Sequence, residues 1–283
     1  MSATDPATAL AILTGELDTV GRTVSEITIR PGRDKNGQPE RYRELLIRAG
    51  EVVCIVGATG SGKSRLLADI EWLAQGDTPT GRTVLINGEV PDLESRYAGT
   101  GRLVAQLSQN MNFVMDATVA EFLELHGEAR GIETTDEDLE RVITAANRLT
   151  GEPITPERQL TELSGGQSRA LMIADTALLS SSPIVLIDEI ENAGINRHEA
   201  IRVLTGADKI VLIATHDPSL ALSAPRRLVI SHGGVSAVRD RSPAEESLAE
   251  HLRELDSLQE ELRRKIRAGE WLDGFENRYL ITR

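Results

Sequence analysis

Residues 52–67 read VVCIVGATGSGKSRLL. An apolar run meets Gly57; after four intervening residues come Gly62, Lys63 and Ser64. The run predicts a strand buried on both faces, and SRLLADIEWLA, directly after the glycines, predicts a helix. Glycines between a strand and a helix let backbone amides turn inward and cradle phosphate oxygens. Lys63 offers a point charge to the β- and γ-phosphates, Ser64 supplies a hydroxyl to Mg²⁺, and the helix points its positive end at the anion. Gly57, Ala58, Thr59, Gly60, Ser61, Gly62, Lys63 and Ser64 therefore form the candidate phosphate loop.

Two further apolar runs carry chemistry at their carboxyl ends. PIVLIDE ends in Asp188 and Glu189. Asp188 is placed to hold Mg²⁺ through water, and Glu189 to polarise an attacking water. KIVLIATHD carries His216 just past a strand end, where its side chain can reach a γ-phosphate. Short continuous apolar runs of this kind belong to strands covered on both faces of a parallel sheet.

The rest of the chain is consistent with one large α/β unit. TVSEITIR alternates as a strand, PGRDKNGQPE is a turn-rich loop, RTVLINGE is a strand ending at Asn-Gly, LVAQLSQ is a further strand, and RLVISHGGVSAV reads as a closing hairpin. From about residue 117 to 180 the pattern is mostly helical. Residues 242–268 form a long helix: Ser242 caps it, Pro243 takes its first position, Glu245 completes a capping box and Gly269 ends it. One face carries Leu248, Leu252, Leu255, Leu258, Leu262 and Ile266, and Glu260–Arg264 and Glu261–Lys265 are spaced as i,i+4 pairs. The stripe either packs on its own domain, pairs across a dimer or docks a partner. Trp271, Phe275 and Tyr279 place three of the eight aromatic residues in the last thirteen positions, either as a contact surface or as self-packing.

Composition bounds the function. The 283 residues are 40% hydrophobic and only 3% aromatic, so the core is built on Val, Ile, Leu and Ala. A net charge of −13 argues against a chain that itself coats nucleic acid or anionic lipid. No apolar run approaches the ~20 residues of a membrane span, and the N-terminus lacks the basic start of a signal peptide. Cys54 is the single cysteine, which excludes an internal disulfide. These features predict a cytoplasmic protein, either free or held at the inner face of the membrane through a partner.

The motifs GATGSGKS, LSGGQ, IVLIDE and ATHD occur in that order, and the chain thereby resembles the ATP-binding cassette (ABC) ATPases over roughly residues 20–238. LSGGQ, at Leu163–Gln167, is the most specific of the four. The resemblance implies a P-loop α/β fold with a mostly parallel core sheet, an antiparallel β subdomain, a helical subdomain inserted at about 116–180, and a C-terminal helical extension. The nucleotide-binding domain would span 1–240, and the helix with its aromatic tail 241–283.

The resemblance also implies ATP and Mg²⁺ as ligands and a second cassette, in a homodimer, as partner. ATP would lie between two cassettes facing head to tail, with Lys63 of one and Ser164 of the other flanking one γ-phosphate. The Ser164 hydroxyl, the amides of Gly165 and Gly166, and Gln167 would complete the site from the facing subunit. A helix cap accounts for Ser164, at about 1 kcal/mol, but does not by itself require two glycines and a glutamine. The switch glutamine that contacts Mg²⁺ or the lytic water is Gln109 by its distance to Thr118-Val119, with Gln106 as fallback.

Three departures stand out. Ile195 or Asn196 occupies the position of the family's interface aspartate. No aromatic ring for adenine precedes the phosphate loop; Arg33 could stack by its guanidinium plane, while Tyr42 lies too near the strand. The element that usually precedes the signature is replaced by PERQLTE.

Two roles follow. The leading one is the ATPase subunit of a transporter whose membrane-spanning part is a separate chain. The other is a soluble ATPase that remodels or assembles a protein client such as a metalloenzyme, favoured by the unusual loop after Glu189 and by the tail. A chromosome-clamp role is disfavoured, because only about a hundred residues separate the phosphate loop from LSGGQ and the chain is acidic. Nucleic acid is not an expected partner.

Overall fold

The computed structural model describes residues 24–97, 103–108, 113–189 and 195–272. Its centre is a six-stranded sheet in the order β5-β6-β7-β3-β8-β9, formed by β3 (Val52–Val56), β5 (Val104–Leu107), β6 (Ile184–Asp188), β7 (Ile210–Ala214), β8 (Arg226–Ser231) and β9 (Gly234–Asp240). All neighbours pair in parallel except β9, which closes the edge as an antiparallel hairpin with β8. A smaller antiparallel sheet, β2-β1-β4, joins β1 (Glu26–Arg30), β2 (Leu45–Arg48) and β4 (Thr83–Ile86).

The apolar runs are continuous because each strand serves two cores. Val53, Ile55, Ile184, Leu186, Ile210 and Leu212 face one core, with Leu66, Leu67 and Ile70 of α1 (Lys63–Glu71) and the antiparallel sheet. Cys54, Val185, Ile187, Val211 and Ile213 face the other. There they meet α3 (Val119–Glu128), α4 (Asp136–Leu149), α5 (Gly165–Leu178), α6 (Arg197–Thr205) and α7 (Pro218–Ser223). The two-residue period thus divides one strand between two opposite layers. A short α2 (Leu93–Tyr97) precedes β5.

Local signals place the remaining elements. The Asn-Gly pair after β4 adopts positive φ at Asn87 and Gly88, and Asn87 Oδ1 accepts the Ser25 amide at 2.9 Å, tying the turn to β1. Helix α8 (Pro243–Arg267) carries the expected Ser242–Glu245 capping box, and Gly269 has φ 68°. Its apolar stripe is split: Ala249 is buried and Leu252, Leu258 and Leu262 are half-buried, while Leu248, Leu255 and Ile266 are exposed. Glu260 pairs with Arg263, at i,i+3, and Lys265 reaches Glu270 beyond the helix at 3.0 Å. Trp271 is exposed, and Phe275 and Tyr279 lie outside the described residues.

Charged groups are also enclosed in the fold. Arg82 is fully buried, with its guanidinium on Glu40 (3.0 and 2.7 Å), on Asp69 (2.7 Å) and on the carbonyl of Gly233 (3.0 Å). Burial alone would raise the Glu40 carboxyl, but Arg82 and the amides of Val235 and Gly32 hold it below its ordinary value.

Lys209, just before β7, donates to the carbonyls of Ser180 and Ser182, both at 2.8 Å. Burial, with Arg130 adding to it, pushes this ammonium down from 10.5 to about 8. Between those values the unfolded chain binds the extra proton, so stability rises with pH across that window, and below it the cost is fully present. Between pH 8 and 9.5 this contribution is expected to be on the order of 2 kcal/mol. Thermal melts of Lys209→Met should lose that part of the upward slope; an unchanged slope would show that Lys209 is not its source.

Candidate active site

Adjacent strands β3, β6 and β7 end level with one another: Cys54 is opposite Ile213, and Asp188 is opposite Ala214. The phosphate loop, the acid pair and His216 are therefore delivered to one edge of the sheet, the carboxyl edge where open α/β sheets bind ligands.

The loop's glycines are dictated by what presses on them. A Cβ on Gly57 would lie 2.5 Å from the Ile230 carbonyl oxygen and 2.6 Å from Ser61 Oγ. Gly62 has φ 112°, and a Cβ there would stand 2.7 Å from Cα of Gly233, at the turn of the β8–β9 hairpin. The Gly233 amide donates to the Ser61 carbonyl at 2.7 Å. Gly62 precedes α1 with no side-chain cap, which leaves the first amides of the helix for an anion. Lys63 is buried and folds across the loop, donating to the carbonyls of Gly57 (2.9 Å) and Ala58 (3.4 Å). Ser61 Oγ is buried without a hydrogen-bond partner. Ala58, Thr59 and Gly60 form the exposed rim.

Ser64 Oγ donates to Asp188 Oδ2 at 3.2 Å, bridging the start of α1 to the end of β6. A hydroxyl beside a carboxylate is a hard-oxygen pair suited to Mg²⁺. Among the described residues no group of three or more His, Cys, Asp or Glu side chains could hold a metal, so most ligands of such an ion would come from phosphate and water. Glu189 is half-buried and has φ 54°, with its amide held by the Ala214 carbonyl at 3.0 Å. A left-handed backbone at a non-glycine residue costs of order 1–3 kcal/mol and tends to occur at functional sites. His216 is exposed, next to buried Thr215, whose amide bonds Ile55 of β3 at 3.0 Å.

Ser164 lies at the N-terminus of α5, exposed with Gly165, and a Cβ on Gly165 would meet nothing within 4 Å. Space in this chain does not explain that glycine. The glutamine is a different matter. Gln167 is buried and completes a capping box: its Oε1 accepts the Ser164 amide at 3.0 Å, and its Nε2 donates to the carbonyls of Glu152 and Pro153. Contrary to the expectation from sequence, a cap at Ser164 does account for the glutamine, because Ser-x-x-Gln forms a capping box.

Other expectations resolve individually. Gln109 lies outside the described residues. Gln106 is in β5, and its amide nitrogen, oriented to satisfy its neighbours, donates to Glu71 of α1 at 2.6 and 3.1 Å. Arg33 donates to the Gly37 carbonyl at 3.0 Å, and the Tyr42 hydroxyl to Glu40 at 3.3 Å. Burial, with Glu40 adding to it, pushes the Tyr42 phenol well above its ordinary value. Lys35, which the sequence did not single out, is the loop cation that reaches the site, with Nζ 3.1 Å from the Gly60 carbonyl. At the interface-aspartate position, Ile195 packs on the core and Asn196 caps α6 by accepting the Glu199 amide at 3.1 Å.

Comparison with known proteins identifies the family of the chain. The family model described as ABC transporter matches residues 43–192. An uncharacterised ABC transporter ATP-binding protein of Methanocaldococcus jannaschii is 54% identical over 249 residues, 88% of this chain and 95% of that protein. The cobalamin import ATP-binding protein of Halobacterium salinarum is 33% identical over 66% of this chain, which spans about half (48%) of that relative's length. The structure of a Clostridium perfringens protein that is part of an ABC transporter complex superposes with a TM-score of 0.56 at 19% identity, covering 86% of this chain and 96% of that one. At that identity the likeness speaks for the fold.

Proposed function

The chain belongs to the ABC transporter family, and from that premise we propose that it hydrolyses ATP in a site shared by two copies, as the ATP-binding subunit of a membrane transporter. It is an ATPase of the ATP-binding cassette type. The observation that carries the site assignment is the convergence of Lys63, Ser64, Asp188, Glu189 and His216 on one sheet edge, with Ser64 already on Asp188. The transporter role is supported by the relatives named above. Among the described residues no helix is long and apolar enough to cross a membrane, so the spanning part would be a separate subunit.

In this reading Lys63 releases the Gly57 and Ala58 carbonyls to bind β- and γ-phosphate oxygens. Ser64 and Asp188 would hold Mg²⁺, which when bound would neutralise phosphate charge. Glu189 orients water in line with the γ-phosphorus and takes its proton, and His216 holds the γ-phosphate. Exposed Ser164, with the amides of Gly165 and Gly166, meets that phosphate from the facing copy. Gln167 acts from behind by fixing the cap.

Two variants test the shared site. Lys63→Ala removes charge-assisted bonds worth about 1.5–3 kcal/mol, so ATP affinity should fall about 10- to 100-fold. Ser164→Arg should leave the affinity of dilute monomer unchanged within about twofold while abolishing hydrolysis. Equal loss of binding in both variants would contradict the shared site.

A further inference from the structure

Asp256 joins the C-terminal helix to the chain segments that follow two catalytic strands. Asp256 of α8 has a side chain only 20% exposed. Its Oδ2 accepts from Ser219 Oγ at 2.6 Å and lies 3.0 Å from His198 Nε2, and its Oδ1 accepts from Arg197 Nη2 at 3.4 Å. Arg197 uses its other nitrogen on Asp217. Asp217 caps α7 through the amides of Ser219 (2.8 Å) and Leu220 (3.0 Å), and its own amide donates to Thr215 Oγ1 at 3.0 Å.

Each contact falls on a chain segment that follows a catalytic strand. Arg197 and His198 open α6, which comes after β6 and Glu189. Asp217 directly follows His216, and Ser219 lies in the first turn of the helix after it. The Arg197–Asp217 pair ties these two segments together, and Asp256 grips both at once, through Arg197 and His198 on one and Ser219 on the other. Burial would raise the Asp256 carboxyl, but Ser219, His198 and Arg197 hold it below its ordinary value, so it meets them as a carboxylate.

The geometry points to Asp256 as a positioning residue for hydrolysis: α8 clamps the α6 and α7 N-termini and so fixes the spacing of Glu189 and His216. The inference rests on the roles given to those two residues above. Releasing the clamp leaves the phosphate loop untouched but lets the water-activating and phosphate-holding groups drift. Misplacement by about 1 Å costs on the order of 100-fold, and a partial drift correspondingly less.

The test uses the full chain, with steady-state ATP hydrolysis in Mg²⁺, equilibrium binding of ATP and a thermal melt. Asp256→Ala should lower kcat about tenfold and leave ATP affinity within about twofold. Asp256→Asn keeps the size and an acceptor for Ser219, so it supplies a folded variant should alanine loosen the fold, and it should also be slow. Asp256→Glu should recover at least about half of the lost rate, which a plain helix anchor would not demand. Wild-type kcat in folded Asp256→Asn, or parallel loss of kcat and affinity, overturns the clamp. Slow Glu189→Gln beside fast Asp256 variants defeats only this inference, whereas fast Glu189→Gln defeats the reading of the site.

Discussion

Glu189→Gln is expected to bind ATP as the wild type does and to hydrolyse it about 10²- to 10⁴-fold more slowly, the usual contribution of a positioned general base. Glutamine keeps the size of the side chain and a hydrogen bond to water, but it cannot take the proton. The strained backbone makes this substitution a clean one: φ at residue 189 is 54° in the native chain, and Gln, like Glu, is an unbranched residue subject to the same local cost. Single-turnover hydrolysis with separately measured ATP affinity decides it, and wild-type turnover removes Glu189 as the base. Because the variant retains ATP, the dimer should accumulate with its partner, and affinity capture should recover a multi-span membrane subunit. Recovery of soluble proteins alone would count against the transporter role and for a remodelling ATPase.

Arg82→Met should destabilise the fold by about 3–5 kcal/mol, the cost of leaving a buried counter-charge uncompensated. The arginine is 0% exposed, and Glu40 and Asp69 are 0% and 1% exposed at their side chains. Burial would lower the guanidinium pKa, but the two carboxylates more than offset it. Removing the cation leaves two enclosed anions and frees the Gly233 carbonyl, so the loss cannot be made good by solvent. Urea denaturation is the measurement, and a change below about 1 kcal/mol would mean that water reaches the cluster. Adding Glu40→Gln and Asp69→Asn to Arg82→Met should recover much of the loss, because neutral groups of similar shape carry no unpaired charge.

What the sequence made legible was local. The phosphate loop, the strands of Ile184–Asp188 and Ile210–Ala214, the hairpin and the caps of α8 each announce themselves within a dozen residues, through glycine, apolar runs or Ser-x-x-Glu. What it hid was assembled from distant places. Glu40 sits in a turn-rich loop, Asp69 on an amphipathic helix and Arg82 before a strand, and nothing near any of them signals enclosure. Their partners are each other. Asp256 falls on a helix whose other carboxylates are mostly exposed, and only the fold shows that it faces inward. Gln167 is legible too, since Ser164-x-x-Gln167 is a capping box within LSGGQ.

The contact between Gly62 and Gly233 has a temporal consequence. Strand β3, which leads into the phosphate loop, is flanked by β7 and β8, both more than 150 residues later in the chain, and the loop itself is braced by the last hairpin. As the polypeptide leaves the ribosome, its nucleotide cradle stays unbuilt until position 233 and its neighbours have emerged. Cellular ATP cannot act as a template for the early steps of this protein's biogenesis; it can only reward a molecule that is already nearly finished.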